Sequence, residues 1–271
     1  MAESSQAADT SDRLEAPAPP IAEPARPVAR PAFPVRPVAG VLEGRTCPPA
    51  DLIAHGFDDG KWGPFIDGGE GVQIVRDSTA NGGWSLRKDW RAGTHDGGTV
   101  WGLWRKPVQA LHVRFRYKQD ATFDNEGIKK LVRIQAPRYG ETLGSFVIQW
   151  GRFGWAWDGA TEDWQREFPI NVGKAVAPDE LRGNWHWYEI WIDIATDRRL
   201  RMKMWIDGQL RMDHTAPFPN LGVTYGTVQF TRTFNAPAAS STTWLDDLAV
   251  STDCIGIPQP PTAAAAPPPS P

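Results

Sequence analysis

Apolar and polar residues alternate strictly along several short segments of this chain. In the segment 111–118 every odd position is apolar, and every even position is histidine, arginine or lysine. In the segment 200–207 apolar side chains again occupy every second position, opposite arginine, lysine, tryptophan and aspartate. A period of two with one polar face is typical of a half-buried strand in an antiparallel sheet. The pattern therefore predicts β-structure with one face turned toward a core.

Segments of this kind recur between breaks rich in Gly, Asn, Asp and Pro. The strands predicted most clearly are Gly71–Arg76, Ser85–Lys88, Ala110–Lys118, Lys129–Gln135, Ser145–Gly151, Trp185–Ile194, Leu200–Asp207, Thr227–Phe234 and Trp244–Ser251. No long helical pattern competes with them, and no repeat of fixed period is visible. We therefore predict an all-β fold, an antiparallel two-sheet β-sandwich or jelly roll.

Proline and tryptophan divide the chain into three parts. The first 50 residues hold 10 of the 25 prolines and the last 14 hold 7 more, whereas all 14 tryptophans lie between residues 51 and 257. Proline lacks an N–H and fixes φ, so proline-rich segments form neither helices nor sheet ladders. The expected organisation is a disordered proline-rich segment over 1–46, one β-sandwich over 47–257 and a disordered tail over 258–271.

Charge and hydropathy exclude several classes of protein. The formal net charge is -3, which argues against a general nucleic-acid binder. No window is apolar for long enough to span a membrane. The sequence also lacks Cys/His metal spacing, a P-loop and a Gly-x-Ser-x-Gly elbow. We expect a monomer without a membrane span.

The two cysteines flank the predicted sandwich. Cys47 precedes the first predicted strand and Cys254 follows the last, and these positions meet if the end strands pair. The first 20 residues lack the apolar core of a signal peptide, which fits a cytosolic protein or the mature form of an exported one. A Cys47–Cys254 disulfide favours the second, a secreted or periplasmic protein. Two unpaired thiols are the alternative.

Three motifs occur in an informative order. They are NGGWSLRKDW at 81–90, GNWHWYEIWIDI and LRMKMWIDGQL within 183–210, and WLDDLAVSTDCIG at 244–256. This arrangement resembles the concanavalin A-like lectin/glucanase superfamily, and within it polysaccharide-lyase-like proteins of the heparin lyase I and alginate lyase type. The resemblance covers about residues 55–257. It implies a jelly roll with a bent sheet whose concave outer face holds a glycan chain, in enzymes and plain binders alike.

A basic stretch suggests what such a groove would bind. Between Arg105 and Arg138 there are nine Lys or Arg residues against three Asp or Glu. Arginines suit bidentate binding of carboxylate or sulfate, which predicts an anionic polysaccharide as the ligand. A solvated basic face without a ligand is the alternative. The predicted groove-lining residues are Arg114, Arg116, Arg133, Gln135 and Gln149.

Tryptophans on the polar side of the central hairpin are a second candidate feature. By alternation, Trp187, Trp191 and Trp205 lie beside Glu189 and charged residues. Exposed tryptophans can stack on sugar rings, although in sandwiches they are more often core. If they act as platforms without chemistry, the protein is a non-catalytic carbohydrate-binding module. A structural surface protein that binds no sugar is the third hypothesis.

The residues that a hydrolase or a lyase requires can be compared with those that the sequence contains. The retaining hydrolases of this superfamily carry three alternating acids, but Trp191 occupies the middle place between Glu189 and Asp193. A lyase needs a group that neutralises the uronate carboxylate, a base and an acid. His112 is the candidate base, and the candidate acids are Tyr139 and Tyr225. The Gln-x-His of alginate lyases is replaced by Arg133-Ile-Gln135, which leaves the base open.

The leading hypothesis is therefore a polysaccharide lyase that cleaves a uronic-acid polymer by β-elimination. No cofactor is expected to be required. Aspartates in the presumed first and last strands could hold a structural Ca²⁺, because hard oxygen ligands suit this ion. The predicted ligands are Asp58 and Asp247, each next to a second acid, Asp59 and Asp246. Hydrogen bonding of these side chains to turn backbone is the alternative.

Overall fold

The computed structural model describes residues 40–65, 71–93, 100–123, 128–135, 142–149, 152–156, 181–195, 199–217, 224–234 and 239–258. All of these residues belong to one compact unit. The predicted proline-rich segments, apart from residues 40–46 and Pro258, lie outside the described ranges, and so does Tyr139. No helix within these ranges has the length and apolar character needed to cross a membrane.

The described residues are almost entirely β-strand, with a single 3-10 turn at Asn81–Gly83. The strands are β1 (Gly40–Leu42), β2 (Arg45–Cys47), β3 (Ile53–His55), β4 (Val72–Arg76), β5 (Trp84–Trp90), β6 (Val100–Val108), β7 (Ala110–Gln119), β8 (Ile128–Gln135), β9 (Thr142–Gln149), β10 (Arg152–Ala156), β11 (Trp185–Ala195), β12 (Arg199–Ile206), β13 (Gln209–Pro217), β14 (Tyr225–Phe234), β15 (Ser241–Ser251) and β16 (Ile257–Pro258). All nine predicted strands are present. The strands missed by the pattern are short or, like β6 and β13, interrupted by Gly, Pro or charged residues.

Antiparallel pairing arranges these strands in three sheets. The eight-stranded sheet has the order β13-β12-β11-β7-β15-β5-β4, with β3 paired to β15 beside this path. The five-stranded sheet has the order β10-β9-β8-β14-β6, and a cap sheet has the order β16-β1-β2. The two larger sheets form the predicted antiparallel sandwich, a β-jelly roll.

The core lies between the two larger sheets and follows the period of two. On β7 the side chains of Val113 and Phe115 are fully buried, and so are those of Val228 and Phe230 on β14. The ring of Phe115 lies 5.8 Å from that of Phe230, edge to face, and this contact joins the two sheets. Each such buried side chain contributes about 1.5–3 kcal/mol of hydrophobic stabilisation. The inward face predicted for the segment 111–118 is confirmed.

The cap sheet packs on the outer face of the eight-stranded sheet. Leu42, Cys47, Cys254 and Trp205 form a buried cluster there, with Trp191 against it. Residues 40–46, which the sequence predicted as disordered, thus belong to β1, β2 and the turn between them. Strands of three residues are too short to give an alternation signal, so only tertiary pairing reveals them.

A disulfide closes the fold at this cap. Cys47 and Cys254 are bonded with 5.3 Å between their Cα atoms and a sequence separation of 207 residues, so the predicted bridge is confirmed. Cys47 is the last residue of β2 rather than a residue before the first strand. Gly256 allows the two chain ends to cross closely, since a Cβ there would lie 2.5 Å from Val41 N and its φ is +69°.

Candidate functional site

The basic side chains of β7 point to the outer face of the eight-stranded sheet, where the cap covers two of them. His112 and Arg114 are only 9% and 8% exposed. His112 Nδ1 donates to Glu189 Oε1 at 2.7 Å, and Arg114 donates to the carbonyl of Gly256 at 3.0 Å. Glu189 also accepts from the backbone N–H groups of Ile255, at 2.9 Å, and Gly256, at 2.7 Å. These groups hold the chain after Cys254 onto the sheet.

Arg114 is therefore a buried structural cation in this fold. Burial lowers the pKa of its guanidinium, and the nearby charges of Asp247 and Glu189 partly oppose that effect. A buried charge is tolerated only when it is paired and hydrogen-bonded, as it is here. The residue predicted to face a glycan instead contacts the backbone of the cap.

Two of the three predicted tryptophan platforms also belong to the cap contact. Trp205 is 4% exposed, stacks on the His112 ring with 6.3 Å between centroids, and donates through Nε1 to Glu43 Oε1 at 3.0 Å. Trp191 packs against the same cluster. Because Trp205 is buried, the prediction that its ring lines an open groove is wrong, whereas Trp191 is only partly buried and its role stays a prediction.

Beyond the cap, cations and tryptophans alternate across the sheet. Arg116 lies over Trp187 and Trp185 at 5.4 and 5.0 Å, and Lys118 lies over Trp185 and Trp244 at 4.8 and 4.5 Å. Cation–π contacts of this kind contribute about 0.5–2 kcal/mol each. Trp187 is thus partly covered by cations, and its role as a sugar platform stays a prediction.

A turn closes over the ladder. Lys118 Nζ donates to Asp77 Oδ2 at 3.0 Å, and Asp77 also accepts from the hydroxyl and backbone N–H of Thr79. Burial acts to raise the pKa of Asp77, but the hydrogen bonds from Thr79 and Lys118 outweigh it and hold the pKa below 3.8. Asp77 and Lys118 are thereby fixed as an ion pair on this face.

The predicted groove residues are divided between the two sheets. Arg114 and Arg116 lie on β7 of the eight-stranded sheet, whereas Arg133 and Gln135 lie on β8 of the five-stranded sheet. Gln149 ends β9, which also belongs to the five-stranded sheet. Consecutive strands of a jelly roll need not share a sheet, so the prediction of one continuous basic face is wrong.

The candidate acids and base are likewise not brought together. His112 lies under the cap on the outer side of the eight-stranded sheet. Tyr225 is fully buried in the core between the sheets, where burial raises the pKa of its phenol well above the usual value. Tyr225 is therefore not the groove acid that the sequence suggested. Tyr139 lies outside the described residues.

The outer face of the five-stranded sheet carries a different polar set. Val132, Ile134, Val228 and Phe230 face the core, so the alternate residues Arg133, Gln135, Thr227 and Gln229 face outward. We call these four residues the Arg133 cluster. Arg133 stands opposite Gln229 and Gln135 opposite Thr227 in the register of β8 and β14.

The Arg133 cluster is rich in N–H donors. Gln135 Nε2 lies 3.4 Å from Gln229 Oε1, which orients the two amides toward each other. Gln135, Thr227 and Gln229 are 3%, 5% and 0% exposed, while Arg133 is half-buried. Sequence reasoning missed Gln229, although the alternation of polar and apolar residues in the segment 227–230 could have identified it. Guanidinium and amide groups side by side suit a carboxylate ligand.

Charge distinguishes the five-stranded sheet from the rest of the molecule. Its strands contain no Asp or Glu but seven basic residues: Arg105, Lys106, Lys129, Lys130, Arg133, Arg152 and Arg232. The eight-stranded sheet, by contrast, carries acids such as Glu189, Asp193, Asp213 and the pair at 246–247. A concentration of basic residues without acids is a pattern that favours polyanionic ligands.

Comparison with known proteins identifies the fold. No family model and no curated protein matches the chain. Among solved structures it is similar to an endo-β-1,4-glucuronan lyase from the fungus Trichoderma reesei, with 14% identity, a TM-score of 0.50, and coverage of 69% of this chain and 94% of that one. The chain has a polysaccharide-lyase-like β-jelly-roll fold.

Two further structures share this polysaccharide-lyase-like jelly roll. The cellulose-induced protein Cip1 is 12% identical with a TM-score of 0.52, and the match covers 75% of this chain and 99% of that one. An alginate lyase from a Chlorella virus is 9% identical with a TM-score of 0.50, covering 69% of this chain and 91% of that one. At these identities the likeness concerns the fold alone.

The predicted metal ligands of the jelly roll lie near one another. A Cβ on Gly56 would be 3.3 Å from Oδ1 of both Asp58 and Asp247. The Asn81 amide contacts Asp247 Oδ2 at 2.6 Å, and the Asn81 backbone N–H donates to Asp246 Oδ2 at 3.0 Å. In the described part of the chain, no group of three or more His, Cys, Asp or Glu side chains is placed to hold a metal. The Ca²⁺ site stays a prediction.

Proposed function

We propose that this protein binds a uronic-acid polysaccharide on the five-stranded sheet and cleaves it by β-elimination. The observation that supports this most strongly is the charge of that sheet, whose strands carry seven basic residues and no acid in a chain of net charge -3. A polyuronate carries one carboxylate per sugar, so strands that contain basic residues and no acidic ones favour it as a ligand.

The eight-stranded sheet is the weaker candidate for such a groove. Its outer face is covered by the cap over His112 and Arg114 and by the turn at Asp77 over Lys118. On β7 the cations Arg114, Arg116 and Lys118 contact a backbone carbonyl, carboxylates or tryptophan rings. Binding a polyanion there would first require breaking these contacts, each of which lies in a partly or fully buried setting.

In this proposal Arg133, the half-buried member of the Arg133 cluster, acts on the substrate carboxylate, and the buried Gln135, Thr227 and Gln229 lie beside it on the sheet. Neutralising that charge with Arg133 makes the adjacent C5 proton more acidic. A base removes this proton, the C4–O4 bond breaks as the C4=C5 double bond forms, and an acid protonates the leaving oxygen. Tyr139 remains the candidate acid. The base is unassigned, since His112 lies on the other sheet.

Turnover can be followed by the ultraviolet absorbance of the unsaturated uronate product. We would test alginate, glucuronan, pectate and heparinoid substrates, and then compare Arg133→Ala with Arg201→Ala. Arg201 is the matched control, because the same change removes a half-exposed arginine from the eight-stranded sheet. We expect Arg133→Ala to lower kcat/KM by roughly 100-fold, as for loss of one charge-stabilising donor. Equal loss in both variants would argue against the proposed site.

A second candidate function is glycan binding without cleavage. It is favoured by the positions of His112 and Tyr225, since neither proton-transfer candidate lies on the outer face of the five-stranded sheet. Guanidinium and amide groups are sufficient for binding but transfer no proton near neutral pH. Retention of polyuronates in affinity electrophoresis without any rise in absorbance would identify a binding module.

We also infer that the protein works outside the reducing cytosol. The Cys47–Cys254 disulfide supports this inference, because such bonds persist in oxidising compartments. A polymeric carbohydrate substrate fits the same location. Fractionation of the native host, with the protein recovered from the medium or periplasm, would support export, whereas recovery from the cytosol would contradict it.

A further inference from the structure

The two ends of the described fold pair with each other. In the cap sheet β1 runs antiparallel to β16, with Gly40 opposite Pro258 and Val41 opposite Ile257. Gly40, the first residue of β1, and Pro258, the last residue of β16, therefore lie side by side at the same end of one short ladder. The two flanking segments, before Gly40 and after Pro258 in the sequence, are both rich in proline.

A disulfide and two sets of polar contacts hold these two ends together, and we call them the staple. The Cys47–Cys254 disulfide joins β2 to the segment that leads into β16. Arg45 Nη2 donates to both carboxylate oxygens of Asp253, at 2.9 and 3.2 Å. Buried Glu189 holds the next two backbone N–H groups. The staple thus connects the two ends to each other and to the eight-stranded sheet.

We propose that this staple protects the jelly roll from mechanical force. Tension applied between the two flanking segments is carried by the staple and does not reach the sandwich. Because Gly40 and Pro258 lie at the same end of the ladder, pulling them apart unzips β1 from β16 one hydrogen bond at a time. The load then reaches the Cys47–Cys254 bond, which carries it covalently. The five-stranded sheet and its Arg133 cluster remain folded under that load.

The proposal predicts very different increases in molecular extension with and without the disulfide. Between the disulfide and the two flanking segments, the cap contains about eleven folded residues. Stretching them out would extend the molecule by roughly 40 Å, at about 3.6 Å per residue. Inside the bridge the sequence separation is 207 residues. Without the disulfide the load would enter the sandwich, and its unfolding would add roughly 700 Å.

Single-molecule pulling of the full chain by its two termini tests the proposal. The same molecules are pulled under oxidising conditions and again after addition of a reductant, so the folded protein serves as its own control. The flanking segments contribute equally to both traces. The Cys47→Ser/Cys254→Ser variant offers a second comparison if it folds, but the reductant experiment does not depend on it.

We expect oxidised molecules to lengthen by roughly 40 Å beyond the stretched flanking segments and then to resist further extension, while reduced molecules gain roughly 700 Å more. Two results would overturn the proposal. Oxidised molecules that gain several hundred Å would show that the bond does not carry the load. Reduced molecules that gain nothing at the same force would show that non-covalent contacts alone protect the sandwich.

Discussion

Glu189 provides the sharpest test of how this fold is held together. Its carboxylate accepts three hydrogen bonds, from His112 Nδ1 and from the backbone N–H groups of Ile255 and Gly256. The side chain is 4% exposed, so water cannot replace these partners. Glu189→Ala would leave an imidazole and two backbone donors buried without an acceptor, next to the buried Arg114 guanidinium.

The expected cost can be estimated from these contacts. Removing one partner of a buried charged network typically costs about 3–5 kcal/mol, because the remaining groups keep their desolvation penalty. Asp193→Ala is the matched control on the same strand. Asp193 is more exposed and contacts Arg201 at 3.4 Å, which is a contact worth about 0–1 kcal/mol.

Urea unfolding of the oxidised proteins measures both free energies. We expect Glu189→Ala to lower the free energy of unfolding by about 3–5 kcal/mol with little change in the m-value. The rate of disulfide reduction should also rise in this variant, since the segment after Cys254 loses its anchors. The reasoning would be refuted if Glu189→Ala cost no more than Asp193→Ala and left the reduction rate unchanged.

Three further predictions concern stability. The Cys47→Ser/Cys254→Ser variant should lose about 5 kcal/mol of unfolding free energy in urea, as expected from a closed loop of 207 residues; a loss below about 1 kcal/mol would contradict this. Asp77→Asn should be less stable than wild type at pH 7 because it loses the Lys118 ion pair. Because the folded state depresses the pKa of Asp77, this stabilisation is present above pH 3.8 and is lost as the pH falls through the folded pKa. The urea midpoints of wild type and Asp77→Asn should therefore converge in acid. A difference that stays constant with pH would contradict the argument. Ca²⁺ should raise the Tm of wild type relative to EGTA but not that of Asp247→Asn, whose left-handed φ of 51° suits asparagine; equal shifts would exclude Asp247 as a ligand.

The sequence by itself determined the strands that alternate and the class of fold. In the segment 111–118 the period of two is strict, and both faces lie where it predicts. The cysteines at 47 and 254 indicated that the chain ends meet, since they bracket all the predicted strands. Local patterns suffice for such features because a strand's two faces are set by its own residues.

Tertiary structure alone decided which polar residues meet. Arg114 and Arg133 lie on strands that follow one another in the chain, yet the fold sends β7 and β8 to different sheets. His112 and Arg114 were predicted as site residues, but strands of two and three residues cover them. Contacts between residues far apart in sequence decide which strands pair and which segments pack over a sheet face. The period of two within a strand carries no information about these contacts.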